Sequence, residues 1–183
     1  MSILWQPKTI PLTRLPSIPD PVPLPSDAPS LDVRPYIVDP DFPIELIDRI
    51  ILITRSLASI YGVALYFDSP TNLDRPDWLD VTAEDSTSIW NFALTVKPHV
   101  LLFTHSIYIL GRFDAGIGTS EYTVISAQAS DSTFLHELGH SAGLSHLDEP
   151  RNVMNPVSHN ENTVFNADQA AKFYNWVRTR PRG

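Results

Sequence analysis

One stretch of this 183-residue chain carries residue types at a spacing that can do chemistry: His136-Glu137-Leu138-Gly139-His140-Ser141-Ala142-Gly143-Leu144-Ser145-His146. Four residues of α-helix turn the chain by about 400° and advance it about 6 Å, so His136 and His140 stack on one face. Two imidazoles so placed can bind one ion at about 2.0–2.1 Å. Gly143 follows three positions later and can take the left-handed conformation that ends a helix. That turn can bring His146 back to the same ion, whereas a continued helix would carry it out of reach. Three neutral nitrogens leave a fourth tetrahedral position open for water, as in a catalytic zinc site. Glu137 is read as the general base and not as a ligand. Zinc lowers the pKa of its water towards about 7, and a nearby carboxylate can take that proton as the water attacks a carbonyl. At average residue usage the five fixed positions arise by chance in roughly one chain in 100,000 of this length. The competing reading, a helix with surface histidines, accounts poorly for that spacing.

The elements that must position these residues can be read from periodicity. A strand is expected over 31–38. A long apolar helix follows, capped by Asp41, with Pro43 in its first turn and Gly62 closing it. Strands are expected over 63–67, 100–103, 106–113 and 122–125, with a turn at Gly116-Ile117-Gly118 and a weakly signalled helix over 84–94. The motif helix starts at Asp131 or Ser132 and runs to about Gly143, and Asn166 caps a last helix reaching about Arg178. This order predicts an α+β domain: a twisted, mostly parallel sheet over two helices, and a small C-terminal part ending in a helix.

Nine prolines between positions 7 and 35 block regular structure there, so 1–30 is read as a proline-rich arm or pro-segment ahead of a domain over 31–183. The net charge of -8 argues against nucleic acid, which requires a basic surface. Cysteine is absent, which removes disulfides, thiolate metal sites and cysteine nucleophiles. Neither a conventional signal peptide nor a membrane span is expected, and export by another route stays open.

The motif resembles that of the metzincin clan of zinc metalloendopeptidases, H-E-x-x-H-x-x-G-x-x-H followed by a methionine turn, here Asn152-Val153-Met154-Asn155-Pro156. The resemblance implies that Met154 lies beneath the metal as a hydrophobic floor; a plain core methionine is the alternative. Pro156, two positions beyond Met154, is similar to the matrixin form of that turn. So are Gly116-Ile117-Gly118 and Asn166-Ala167-Asp168-Gln169. By the same resemblance, an edge strand over 108–113 would pair with an extended polypeptide substrate. Pro156, Val157 and Ser158 would wall a pocket for an apolar side chain.

Departures from the matrixin pattern narrow the expectation. Thr119-Ser120-Glu121-Tyr122 stands where aspartate and histidine would hold a second zinc and calcium, so one zinc and no obligatory calcium are expected. No tyrosine follows Met154 by two positions, and a cysteine switch is impossible. An inhibitory arm would have to act sterically or through Asp20, Asp27 or Asp32. His99 and His105 are read as surface or hydrogen-bonded core residues and His159 as outside the site. Asp148 and Glu149 are read as loop charges able to steady a ligand imidazole, and Asp168 as a cap of the last helix or, alternatively, its tie to the methionine turn. The function so read is a zinc-dependent endopeptidase; the alternative is an idle zinc-binding interaction or structural protein of the same fold.

Overall fold

The computed structural model describes residues 20–157 and 162–180. The prolines at 7, 11, 16 and 19, together with Ser158 and His159, lie outside the described residues.

The chain enters the fold at β1 (Ser30–Ile37) and crosses over through α1 (Ile44–Ile60) to β2 (Ala64–Phe67), parallel to β1. A short β3 (Thr71–Asn72) extends the same edge, and β4 (Asp80–Thr82) leads to α2 (Ser86–Val96). The centre of the main sheet is β5 (His99–Thr104), flanked by β1 and by β9 (Tyr122–Ser126), both parallel to it. Between β5 and β9 the chain forms β6 (Ser106–Ile109), β7 (Arg112–Phe113) and β8 (Gly116–Gly118). The helices α3 (Thr133–Ser141) and α4 (Ala167–Thr179) follow. The main sheet runs β2-β1-β5-β9-β8, and only β8 is antiparallel to its neighbour.

All six residues of β5 are buried, because both faces of the sheet are covered. Leu101 and Phe103 point into a core shared with Ile47, Ile50 and Leu57 of α1 and Phe134 and Leu138 of α3. Val100 and Leu102, on the opposite face, join Trp78, Val81, Ile89 and Ile107. This second layer was not anticipated. A sheet over two helices is in fact a sheet between them and a cover made of α2, a loop and a small sheet ordered β4-β6-β7. Trp78 anchors the cover: it is fully buried, its indole N–H donates to Ser88 Oγ, and the Arg75 guanidinium lies 3.6 Å from its ring centroid.

Three local expectations are corrected. Pro43, not Asp41, occupies the N-cap of α1, and no side chain caps the helix; the Asp41 N–H donates to Asp39 Oδ1 at 2.9 Å in the turn before it. The expected strand over 106–113 is a hairpin, β6 and β7, that turns at Leu110 and Gly111, both with positive φ (52° and 82°). That is the type I′ geometry that suits two twisted antiparallel strands. Gly116-Ile117-Gly118 is not a turn but β8 itself, the free edge of the main sheet. The expected closures of α1 and α3 hold. At Gly62 (φ 76°) and Gly143 (φ 77°), paired bonds run from each glycine and the residue after it to the last turn. Within residues 20–29, the Val22 N–H donates to Ser59 Oγ at the end of α1, and Asp27 lines a cavity beside Tyr174 and Val177 of α4. Among the described residues no helix is long and apolar enough to cross a membrane.

Candidate metal centre

Three elements converge on one point. His136 and His140 project from one face of α3. After Gly143 the chain reverses: the Gly143 N–H donates to His140 O at 2.9 Å and the Leu144 N–H to Gly139 O at 3.0 Å. This brings His146 back beside the other two. The three Nε2 atoms form a triangle with edges of 3.1, 3.1 and 3.3 Å.

The other ring nitrogens fix the protonation. His136 Nδ1 lies 2.6 Å from Val153 O, and His140 Nδ1 lies 2.9 Å from Leu144 O. A carbonyl only accepts, so each Nδ1 carries the proton and each Nε2 presents a lone pair to the centre. Lone pairs at this separation repel one another unless a cation lies among them. Nitrogens bound to a tetrahedral zinc at about 2.0–2.1 Å sit roughly 3.3–3.4 Å apart, so the donor set fits that ion. Burial pushes the His136 imidazole down to about 4, with the neighbouring histidines adding to it and the Val153 carbonyl opposing. Burial also lowers His146. Both shifts favour the neutral, metal-competent form. Among the described residues this trio is the group of His, Asp or Glu side chains able to hold a metal.

Glu137 is buried (6% exposed) on the same helix, beneath β8. The hydrogen-bond ladder between β8 and β9 is set by the Ser126 N–H to Ala115 O and the Thr119 N–H to Tyr122 O. Ladder parity therefore points the backbone groups of Gly116 and Gly118 outward, to the free edge. The Gly118 N–H donates to the Glu137 carboxylate. A Cβ on Gly116 would stand 2.9 Å from Glu137 Cγ and 3.0 Å from its Oε1, and one on Gly118 would strike the Glu137 backbone. The glycines let the edge strand lie directly on the carboxylate. Burial pushes Glu137 up to about 8, the charge of Asp114 adds to this, and the Gly118 bond opposes it. A dication held by the three imidazoles would act against both raising effects.

A cleft of about 550 Å³ opens along this edge. Its upper rim is β8 with Asp114 and the hairpin residues Ile109, Arg112 and Phe113; its floor is the three histidines and Glu137; Asn155 and Pro156 close the lower side. Met154 is fully buried beneath, packed on Gly139. Asn152 pins the turn: its Oδ1 accepts from the Met154 N–H at 2.8 Å, and its Nδ2 donates to Gln169 Oε1 at 2.9 Å.

Several site residues were not found from sequence. Asp114, Gly116 and Gly118 line the cleft and Gly139 seats Met154, and the two glycines flanking Ile117 just before a strand were the available signal. The link from the last helix to the methionine turn is made by Gln169; Asp168 is exposed, and Asn166 is the cap, accepting from the Gln169 N–H at 3.0 Å. Backbone carbonyls orient the imidazoles of His136 and His140. His99 is a core residue, bonded to Thr123 Oγ1 at 3.0 Å, and His105 is exposed beside Asp39. Val157 is exposed and does not line the cleft. Neither Asp20, Asp27 nor Asp32 lines it.

The fold has known counterparts. The chain is similar to archaemetzincin from Methanopyrus kandleri, with a TM-score of 0.61 and 16% identity, covering 83% of this chain and 98% of that one. It is also similar to metalloproteinase-II from Bacteroides fragilis, with a TM-score of 0.58 and 16% identity, covering 88% of this chain and 58% of that one. The chain thus spans little more than half the length of the Bacteroides protein. No family model matches the sequence, and no curated protein matches it. At this identity the likeness establishes the fold alone: an α+β domain with a twisted sheet and helices, like that of these two structures.

Proposed function

We propose that this chain is a zinc-dependent endopeptidase, with a proline-rich arm (1–30) ahead of a metzincin-type catalytic domain (31–183). The observation that carries the reading is the convergence of three Nε2 atoms, 3.1 to 3.3 Å apart, beside a buried carboxylate in an open cleft. The shared fold of an archaemetzincin and of a protein named metalloproteinase-II supports it. His136, His140 and His146 hold one zinc; calcium is not required. Bound there, zinc supplies Lewis acidity, polarising a peptide carbonyl and acidifying water. Glu137 accepts a proton from the attacking water and delivers it to the leaving amine, so no covalent intermediate forms. The outward backbone groups of Gly116 and the outward carbonyl of Gly118 offer an extended substrate a strand to pair with, while the Gly118 N–H stays on Glu137. Met154 floors the site, and Pro156 walls the cleft as in the matrixin form of the turn.

The test is Glu137→Gln on zinc-loaded protein, with cleavage of a mixed peptide library as readout. The expected result is cleavage by the native chain, a loss of at least about a hundredfold in the variant, and unchanged zinc content. Zinc binding with no cleavage by the native protein at any pH would favour an idle zinc-binding protein.

A further inference from the structure

The β6–β7 hairpin has features that folding alone does not explain. It carries an apolar surface into water: Leu110 is 92% exposed, Phe113 62% and Tyr108 45%. Tyr108 and Phe113 face each other across the strands with ring centroids 5.1 Å apart. Leu110 occupies the first central position of a type I′ turn, at φ 52°, where asparagine or glycine is the unstrained choice. The side chain that pays for this conformation packs on almost nothing, and nothing stands within 4 Å of a Cβ built on its neighbour Gly111. The hairpin is also continuous with the cleft, since Ile109, Arg112 and Phe113 line its rim.

We infer that this hairpin is a substrate-recognition arm. Leu110, Phe113 and Tyr108 take a bulky apolar side chain of the polypeptide, at a position beyond the two residues joined by the scissile bond. The inference rests on the peptidase reading for the identity of its occupant. It also locates selectivity. Ile117 and Pro156 line the cleft beside the metal-binding residues, and the hairpin extends that apolar lining outward from Phe113 at the rim to Tyr108 and Leu110 beyond it.

The test separates binding from turnover. Zinc-loaded Glu137→Gln protein is titrated with labelled ten-residue peptides in which one Phe is moved through a Gly-Ser background, and affinity is read by fluorescence anisotropy. Phe at one or two positions is expected to tighten binding about tenfold, which is about 1.4 kcal/mol. Leu110→Asn and Phe113→Ser, each made in that background, should abolish the gain. Leu110→Asn should do so with an equal or higher Tm, because asparagine suits the turn; a merely structural leucine would instead lower Tm. A Phe gain that survives both variants, or no positional dependence, overturns the arm. So does a variant that abolishes self-association in sedimentation while leaving peptide affinity alone. Cleavage of the same series by the native chain tests the peptidase reading separately. Positional binding without cleavage strikes that reading and keeps the arm, and cleavage without positional preference does the reverse.

Discussion

The sulfur of Met154 lies against Gly139 so closely that no Cβ fits between them. The contact locks the middle of α3 to the turn that carries Val153, whose carbonyl holds His136.

Gly139→Ala should therefore act at a distance from every ligand atom. Forcing a methyl group onto a fully buried sulfur is expected to lose about 1–3 kcal/mol of stability and to weaken zinc binding by shifting the turn. Met154→Leu, nearly volume-conserving, should lose less than about 1.5 kcal/mol. Urea denaturation of zinc-free protein and a zinc titration check both. An alanine variant with native stability and native zinc affinity would break the link.

Zinc should stabilise the folded chain by mass action, by about 2.7 kcal/mol at a hundred times its Kd, and a chelator should reverse this. His146 is exposed, so His146→Ala is expected to change zinc-free stability by no more than about 0.5 kcal/mol while shrinking the zinc-induced rise in Tm. A variant stabilised by zinc as strongly as the native chain would remove His146 from the ligand set.

Asn152 is 4% exposed and bonds both the Met154 N–H and Gln169 Oε1. Asn152→Ala should cost about 1–3 kcal/mol, because it leaves buried partners unpaired. Combined with Gln169→Ala, the losses should fall short of additivity by about 0.5–3 kcal/mol. Strictly additive losses in a double-mutant cycle would mean the last helix does not brace the methionine turn.

His99 sets an acid limit on stability. Burial, and then the charge of Arg180, push it down to about 3, with the Ser120 carbonyl opposing. Below about pH 6.5 the unfolded histidine takes up a proton that the folded one refuses. Stability present above that pH should then fall as the pH drops towards 3, by about 1.4 kcal/mol per unit. His99→Gln should flatten this slope relative to the native chain. Parallel slopes in urea titrations from pH 7 to 4 would contradict it.

The histidine trio is legible in the sequence because each position has a local reason. Helical geometry pairs His136 with His140, and Gly143 alone reverses the chain for His146. Asn166 and Gly62 are legible in the same way, as caps whose chemistry is fixed within a few residues. Long-range reasons are not. Gly116 and Gly118 read as a turn, because glycine's commonest use is conformational; here their missing side chains make room for Glu137, a contact 19 to 21 residues distant. Leu110 hid the hairpin, since an apolar residue between apolar residues continues a strand pattern. The cover layer was hidden for a similar reason: Trp78 sits in a proline- and aspartate-rich stretch that reads as loop, and its burial depends on α2 and β5 meeting over it.

The carbonyls of Val153 and Leu144 that hold two imidazoles in place belong to the main chain, and a main-chain carbonyl has no codon of its own. Substitution at either position replaces the side chain and leaves the acceptor where it was. The orientation of this centre is thus inherited through loop length and path more than through residue identity, which fits a fold shared at 16% identity. An insertion of one residue between His140 and Met154 should damage it more than almost any replacement there.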